Sequence, residues 1–165
     1  MKLISFQYRG IEMFGFVKDN DVINLKTALH NKYASLKDFI ENGDLKEVIN
    51  LKEENNTLPL TEINFLPVIT SPRQIFCIGL NYLDHVQETK NEVKPYPTIF
   101  IRLASSQCGH LTPITKPEIS EKLDYEGEMA IVIGRYGKNI AASDAESYIY
   151  GYSCYNDISV RDWQH

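Results

Sequence analysis

The chain has 165 residues, 43% of them hydrophobic and 24% charged, with a formal net charge of -5. That length admits one medium domain, or a small domain joined to part of a larger one, and the composition is that of a globular protein able to bury a core. Lys and Arg are scattered, so there is no electrostatic reason to expect nucleic acid, and no apolar run approaches the roughly 18 residues of a membrane span.

Residues 2–8 and 12–17 alternate in polarity around Arg9 and Gly10 and predict a β-hairpin, with residues 22–25 as a further short strand after Asp19, Asn20 and Asp21. Lys2, Gln7, Arg9 and Glu12 interrupt the apolar residues here, so no signal-peptide core is expected. The period then changes. Leu36, Phe39, Ile40 and then Leu45, Val48, Ile49 recur at helical spacing on either side of Asn42 and Gly43, predicting two short helices. Residues 52–62 read as a polar surface connector leading into a strand over 63–66. A small α+β domain is therefore expected over residues 1–70.

Past the turn at Ser71 and Pro72, β-branched and aromatic runs predict strands over 74–78, 98–103, 129–133 and 148–155, so that a second domain, residues 71–165, is mostly β. Between the first two of these runs, residues 81–92 are polar and ionisable with no core-facing stripe, the composition of a loop or short helix that works rather than packs. Cys77, Cys108 and Cys154 show no CxxC spacing, which predicts reduced thiols in a cytosolic protein. There is no GxGxxG, Walker loop, zinc spacing or GxSxG.

The most informative run is Asp124, Tyr125, Glu126, Gly127, Glu128, which puts a carboxylate at every second position just before the apolar stretch 129–133, read as a buried core strand. On a strand the three acids share one face, roughly 6.5–7 Å apart, near enough for flexible side chains to converge on an ion. Such a cluster repels itself unless a cation sits among it, and a hard divalent ion wants oxygen ligands. An exposed strand face carrying ordinary charges is the competing reading. A ligand from elsewhere would be needed. Asp157, where an apolar strand gives way to polar residues, is the best candidate, with Asp162 its competitor. His85 and Glu88 stand one helical turn apart, the spacing of a carboxylate-oriented general base, or of an ordinary solvated surface pair. Arg102 reads either as a group for an anionic substrate or as a strand-edge cation.

Taken in order, these motifs resemble the fumarylacetoacetate hydrolase family, over its C-terminal catalytic domain, from Gln74 to Gln164. The residues that carry the resemblance are Ile78, Gly79, Leu80, Asn81 and Tyr82 with His85 and Glu88; Pro97 with Phe100 and Arg102; the run 123–128 leading into Val132, Ile133, Gly134 and Arg135; and Tyr150 and Gly151 with Asn156, Asp157, Arg161, Asp162 and Gln164. The N-terminal hairpin and helices resemble the small domain many bacterial members carry in front. The fold implied is α+β and mostly β, a small N-terminal α+β domain followed by the first part of the family's mixed β-sheet roll.

The resemblance implies that Glu126, Glu128 and Asp157 ligate Mg2+ or Mn2+, with Ca2+ as a further candidate, and that Asp124 supports them. It implies His85 with Glu88 as the acid/base dyad, and Arg102 and Gln164 as substrate-binding groups. The expected activity is cleavage or rearrangement of small 2-oxo or 1,3-dicarbonyl acids: acylpyruvate or fumarylacetoacetate-like hydrolysis, oxaloacetate decarboxylation, or dioate isomerisation. A cytosolic homodimer with no membrane or nucleic-acid partner is expected. The family pattern also continues beyond the Asp157–Gln164 segment, with a further lysine and more strands. Two alternatives therefore stand beside the enzyme. One is a truncated, non-catalytic member or fragment that keeps the fold and the ion; the other is a β-rich binding module whose acids are solvated.

Overall fold

The computed structural model describes residues 1–51, 56–82 and 95–164. Its first sheet has five strands, all paired antiparallel, in the spatial order β4 (Thr57–Pro59), β3 (Asp21–Asn24), β2 (Ile11–Lys18), β1 (Lys2–Tyr8), β5 (Asn64–Phe65). Strands β1 (Lys2–Tyr8) and β2 (Ile11–Lys18) are joined through Arg9 and Gly10 at φ of 50° and 81°. Two consecutive positive φ values make the tight turn whose twist matches that of its flanking strands, and the glycine takes the second at no steric cost. Strand β3 (Asp21–Asn24) follows as expected, but Leu25 starts a helix, α1 (Leu25–Ala28), rather than ending the strand. The reason is local. The Asn24 side chain accepts a hydrogen bond from Thr27 N and caps the turn.

Helices α2 (Leu36–Asn42) and α3 (Leu45–Ile49) are the two predicted from spacing. Ser35 caps the first by accepting from Asp38 N, and Asp44 with Glu47 forms a reciprocal capping box on the second. Part of the expected connector is strand instead, β4 (Thr57–Pro59) pairing with β3, and the strand expected over 63–66 is β5 (Asn64–Phe65), paired with β1. Residues 52–55 lie outside those described. The helices cover one sheet face through Phe14, Leu25, Tyr33, Leu36, Phe39 and Val48, and Phe6, Val22 and Ile63 form a second cluster.

The remaining strands form three antiparallel pairs: β6 (Ile75–Gly79) with β7 (Thr98–Arg102), β8 (Leu123–Asp124) with β11 (Ser159–Val160), and β9 (Gly127–Ile133) with β10 (Ile149–Asn156). The four strands read from sequence are present, and β8 and β11 are additions too short to leave a pattern. The fold is α+β and mostly strand, curled and antiparallel. The second half tethers to the first through Gln107 Nε2 donating to Ile69 O and His110 edge-on to Phe65, while Ser5 Oγ holds the approach to the boundary by donating to Val68 O.

Burial divides sharply along the chain. Among the described residues every buried apolar side chain lies between Phe6 and Ile63, while the buried residues beyond them are Ser120, Asp157 and Ser159. One expectation is corrected here: the stretch after the acids is not a buried core strand. Met129, Ile131 and Ile133 of β9 are exposed, as are Phe76, Ile78, Ile99 and Ile101 of β6 and β7. β6 and β9 alternate between half-buried and exposed residues, as strands packed on one face do, whereas in β7 Arg102 alone is not exposed. Among the described residues no helix is long and apolar enough to cross a membrane.

Candidate active site

The short pair β8–β11 and the long pair β9–β10 are segments of a single antiparallel zipper between 122–133 and 149–161. Tyr155 stands opposite Glu128 and Asn156 opposite Gly127. The ladder then continues through irregular backbone: Asp157 N donates to Glu126 O at 2.9 Å, and Glu126 N donates to Asn156 Oδ1 at 3.0 Å. Pairing resumes with Ser159 opposite Asp124, and Arg161 N donates to Lys122 O at 2.9 Å. This register brings the backbone of Asp157 against that of Glu126, although the two are distant in sequence. Asp124, Glu126 and Glu128 are partly buried while Tyr125, Gly127 and Met129 are exposed, so the acids share the inner face.

Each acid has a partner from this chain. Asp157, 8% exposed, accepts from Arg102 Nε at 2.8 Å and Nη2 at 2.7 Å, both on Oδ1. The same guanidinium reaches Ile158 O at 3.3 Å, so the end of β7 is pinned to the zipper through a buried carboxylate. Arg161 donates Nε and Nη2 to Asp124 Oδ2 at 2.8 Å, and Nη1 lies 3.1 Å from Glu126 Oε1 and 3.1 Å from Gln164 Oε1. Ser159 Oγ also donates to Glu126 Oε1, at 2.8 Å. Glu128 accepts from the Tyr82 hydroxyl, and its charge pushes the Tyr82 phenol pKa up.

Behind this layer Ser120, 2% exposed, donates to Asp162 Oδ1 at 2.7 Å and accepts from Lys122 N at 3.0 Å. Cys77, on β6, is half-buried. Burial pushes its thiol pKa up, and the charges of Asp157 and Glu128 push the same way, opposed by Arg102. Cys108 and Cys154 are exposed free thiols. For Arg161, burial works against the charge and hydrogen bonds to Asp124 and Glu126 overcome it, so its pKa is raised.

Of the residues expected from sequence, the structure brings Glu126, Asp157 and Arg102 into one network, with Glu128 at its edge and Gln164 joined through Arg161. His85 and Glu88 lie outside the described residues. The reading from spacing did not find Ser120, Ser159 or Tyr82 as partners of the acids, and gave Arg161 no role. One signal for it was present: three alternating acids need a cation beside them, and a guanidinium supplies one as well as an ion does.

Three carboxylates linked through one ladder suit a hard divalent ion by kind of donor. The side chains are nonetheless turned to arginine, serine and tyrosine, and among the described residues no group of three or more His, Cys, Asp or Glu is gathered closely enough to hold a metal.

A β-rich fold that surrounds acids at a bend of paired strands is a scaffold for small-molecule chemistry. The pattern of the fumarylacetoacetate (FAA) hydrolase C-terminal domain matches residues 74–165, and the chain belongs to that enzyme family. It is 36% identical to the mitochondrial oxaloacetate tautomerase fahd2 of Xenopus laevis, over 99% of this chain and 54% of that protein. It superposes with a TM-score of 0.76 on a fumarylacetoacetate hydrolase from Exiguobacterium antarcticum, 28% identical, over 99% of this chain and 58% of the other. A maleylpyruvate hydrolase from Sphingobium, solved with manganese(II) and pyruvate, is similar at TM-score 0.74 and 21% identity over 98% of this chain and 60% of the other, which shows the shared fold. The chain spans about half the length of the curated relatives it matches. One expectation is overturned: the frog, human and rat relatives are named as mitochondrial proteins, which points away from the cytosolic location read from the cysteines.

Proposed function

We propose that this chain carries the carboxylate side of a divalent-metal-dependent active site for small 2-oxo or 1,3-dicarbonyl acids. The observation that supports the reading is the ladder contact of Asp157 with Glu126, two strand positions from Glu128, which places the three carboxylate residues along one bend of the zipper. Glu126, Glu128 and Asp157 are the residues that would hold Mg2+ or Mn2+. Such an ion, when bound, supplies charge stabilisation for a substrate's carboxylate and keto oxygens and for an enolate.

The other roles fall to the chain's own groups. His85, oriented by Glu88, takes a proton from water in a hydrolysis or from substrate carbon in a tautomerisation. Arg102, held in place by Asp157, and Gln164, beside Arg161, face the substrate's oxygens. Hydrolysis, decarboxylation and isomerisation all pass through enolate-like charge, and the names of the relatives, an oxaloacetate tautomerase and a maleylpyruvate hydrolase among them, support that range. The exposed apolar faces of β6, β7 and β9 support assembly as a homodimer.

The test is turnover of an acylpyruvate and of oxaloacetate by the purified chain with Mn2+, alongside Glu126→Ala. Activity lost by at least about 100-fold in the variant is expected; equal activity in both would overturn the assigned site. The arginine-paired state of the acids favours a second reading, a non-catalytic member that keeps the fold. Metal-dependent turnover by the chain would exclude it.

A further inference from the structure

Each carboxylate assigned above to the ion already accepts from a donor of the chain, and two of those donors are guanidinium groups. We infer that Arg161 is an internal counter-ion of the acid bend, which competes with a divalent cation for Glu126 and sets how tightly the cation binds. This inference rests on the metal reading above.

The geometry has three parts. Arg161 spans two acids at once, with Nε and Nη2 on Asp124 Oδ2 and Nη1 on Glu126 Oε1. Its third contact, Gln164 Oε1 at 3.1 Å, is neutral and is made by the same Nη1 that reaches Glu126. Its backbone is fixed, because Arg161 N donates to Lys122 O and the next residue, Asp162, is held by buried Ser120. The side chain is therefore anchored at its base and free to exchange partners at its head. Arg102 does not share this freedom: its Nε and Nη2 both meet one oxygen of the buried Asp157, and Nη2 also reaches Ile158 O and Ser159 Oγ.

A cation entering between Glu126, Glu128 and Asp157 meets the positive charge of Arg161 on Glu126 and is opposed by it. For Glu126 to turn to the ion, Nη1 must release Oε1, and Asp124 and Gln164 remain to hold the guanidinium. The role of Asp124 follows. It is the carboxylate that keeps Arg161 charged and close while Glu126 is handed over, which explains three alternating acids where two of them serve as ligands.

Removing the Arg161 guanidinium then takes the internal cation from Glu126 while Arg102 stays on Asp157, and the affinity for an external cation rises. Mn2+ binding is measured by the paramagnetic signal of the free ion, for the wild-type chain, Arg161→Met and Arg161→Lys. About tenfold tighter binding is expected for Arg161→Met, reduced from the full strength of a charge-assisted contact by partial solvent exposure, with Arg161→Lys between it and wild type. Equal or weaker binding by Arg161→Met would overturn the inference while leaving the metal reading intact. Absence of Mn2+ binding in all three proteins would overturn both. A measurement that needs no variant stands beside it: in 15N-labelled wild type titrated with Mg2+, the Nε–Hε signal of Arg161 must shift as sites fill, and a signal unmoved at saturation also refutes the competition.

Discussion

Substituting Arg102 by Met leaves the Asp157 carboxylate without its guanidinium while keeping most of the aliphatic volume. The side chain of Asp157 is 11% exposed and that of Arg102 is 30% exposed. Breaking a fully buried ion pair from one side costs about 3–5 kcal/mol, and the partial exposure of Arg102 brings this down to about 2–3 kcal/mol. For a chain of this length each kcal/mol lowers the melting temperature by about 2–4 °C, so a fall of roughly 5–10 °C is expected. The assay is denaturant unfolding of wild type, Arg102→Met, Asp157→Asn and the double variant as a cycle. With the charge on Asp157 removed as well, the double variant should recover about half of the loss of Arg102→Met, because the uncompensated carboxylate is gone. A loss below about 0.5 kcal/mol, the size expected of an exposed pair, would show that solvent already screens the contact and that β7 is not pinned through it.

Two further outcomes follow from the structure. Hydrogen bonds from Lys32 and then Tyr33 lower the Glu47 carboxyl from 4.5 to about 2 in the folded chain. A depressed carboxylate stabilises fully above its ordinary value and loses that contribution as pH falls toward about 2, so unfolding midpoints should drop through that window in wild type and fall less in Glu47→Gln; parallel curves would refute the assignment. The outward faces of Ile101 and Ile131 are exposed apolar surface, and Ile101→Glu or Ile131→Glu should convert the proposed dimer to a monomer in light scattering. A wild-type chain already monomeric at high concentration would end that proposal.

The N-terminal elements were legible where periodicity was strong and turn chemistry specific: Arg9 and Gly10 marked the hairpin, and Asn42 and Gly43 separated the two apolar helical repeats. What escaped was decided by single contacts. Leu25 looks like the end of a strand until Asn24 caps a turn, and Thr57–Pro59 looks like connector because Pro59 argues against a strand, yet it lies at the sheet edge where a missing donor is tolerated. The acids were found because alternation is a local signal. Their partners were not, since Arg102 and Arg161 reach them through register set by pairing across long sequence separation. The same limit explains the misreading of β9: an apolar strand covered on one face spells the same letters as one covered on both.

Ser120 shows how narrow the mechanical support of the site is. One hydroxyl ties Lys122 N to Asp162 Oδ1, and Lys122 O in turn receives Arg161 N. The approach to β8 and the turn after β11 are therefore a single hinge-free body, and neither can open without the other. The amides of Lys122 and Arg161 should exchange with solvent at one common rate, and the strand that carries the acids inherits its rigidity from a serine that touches none of them.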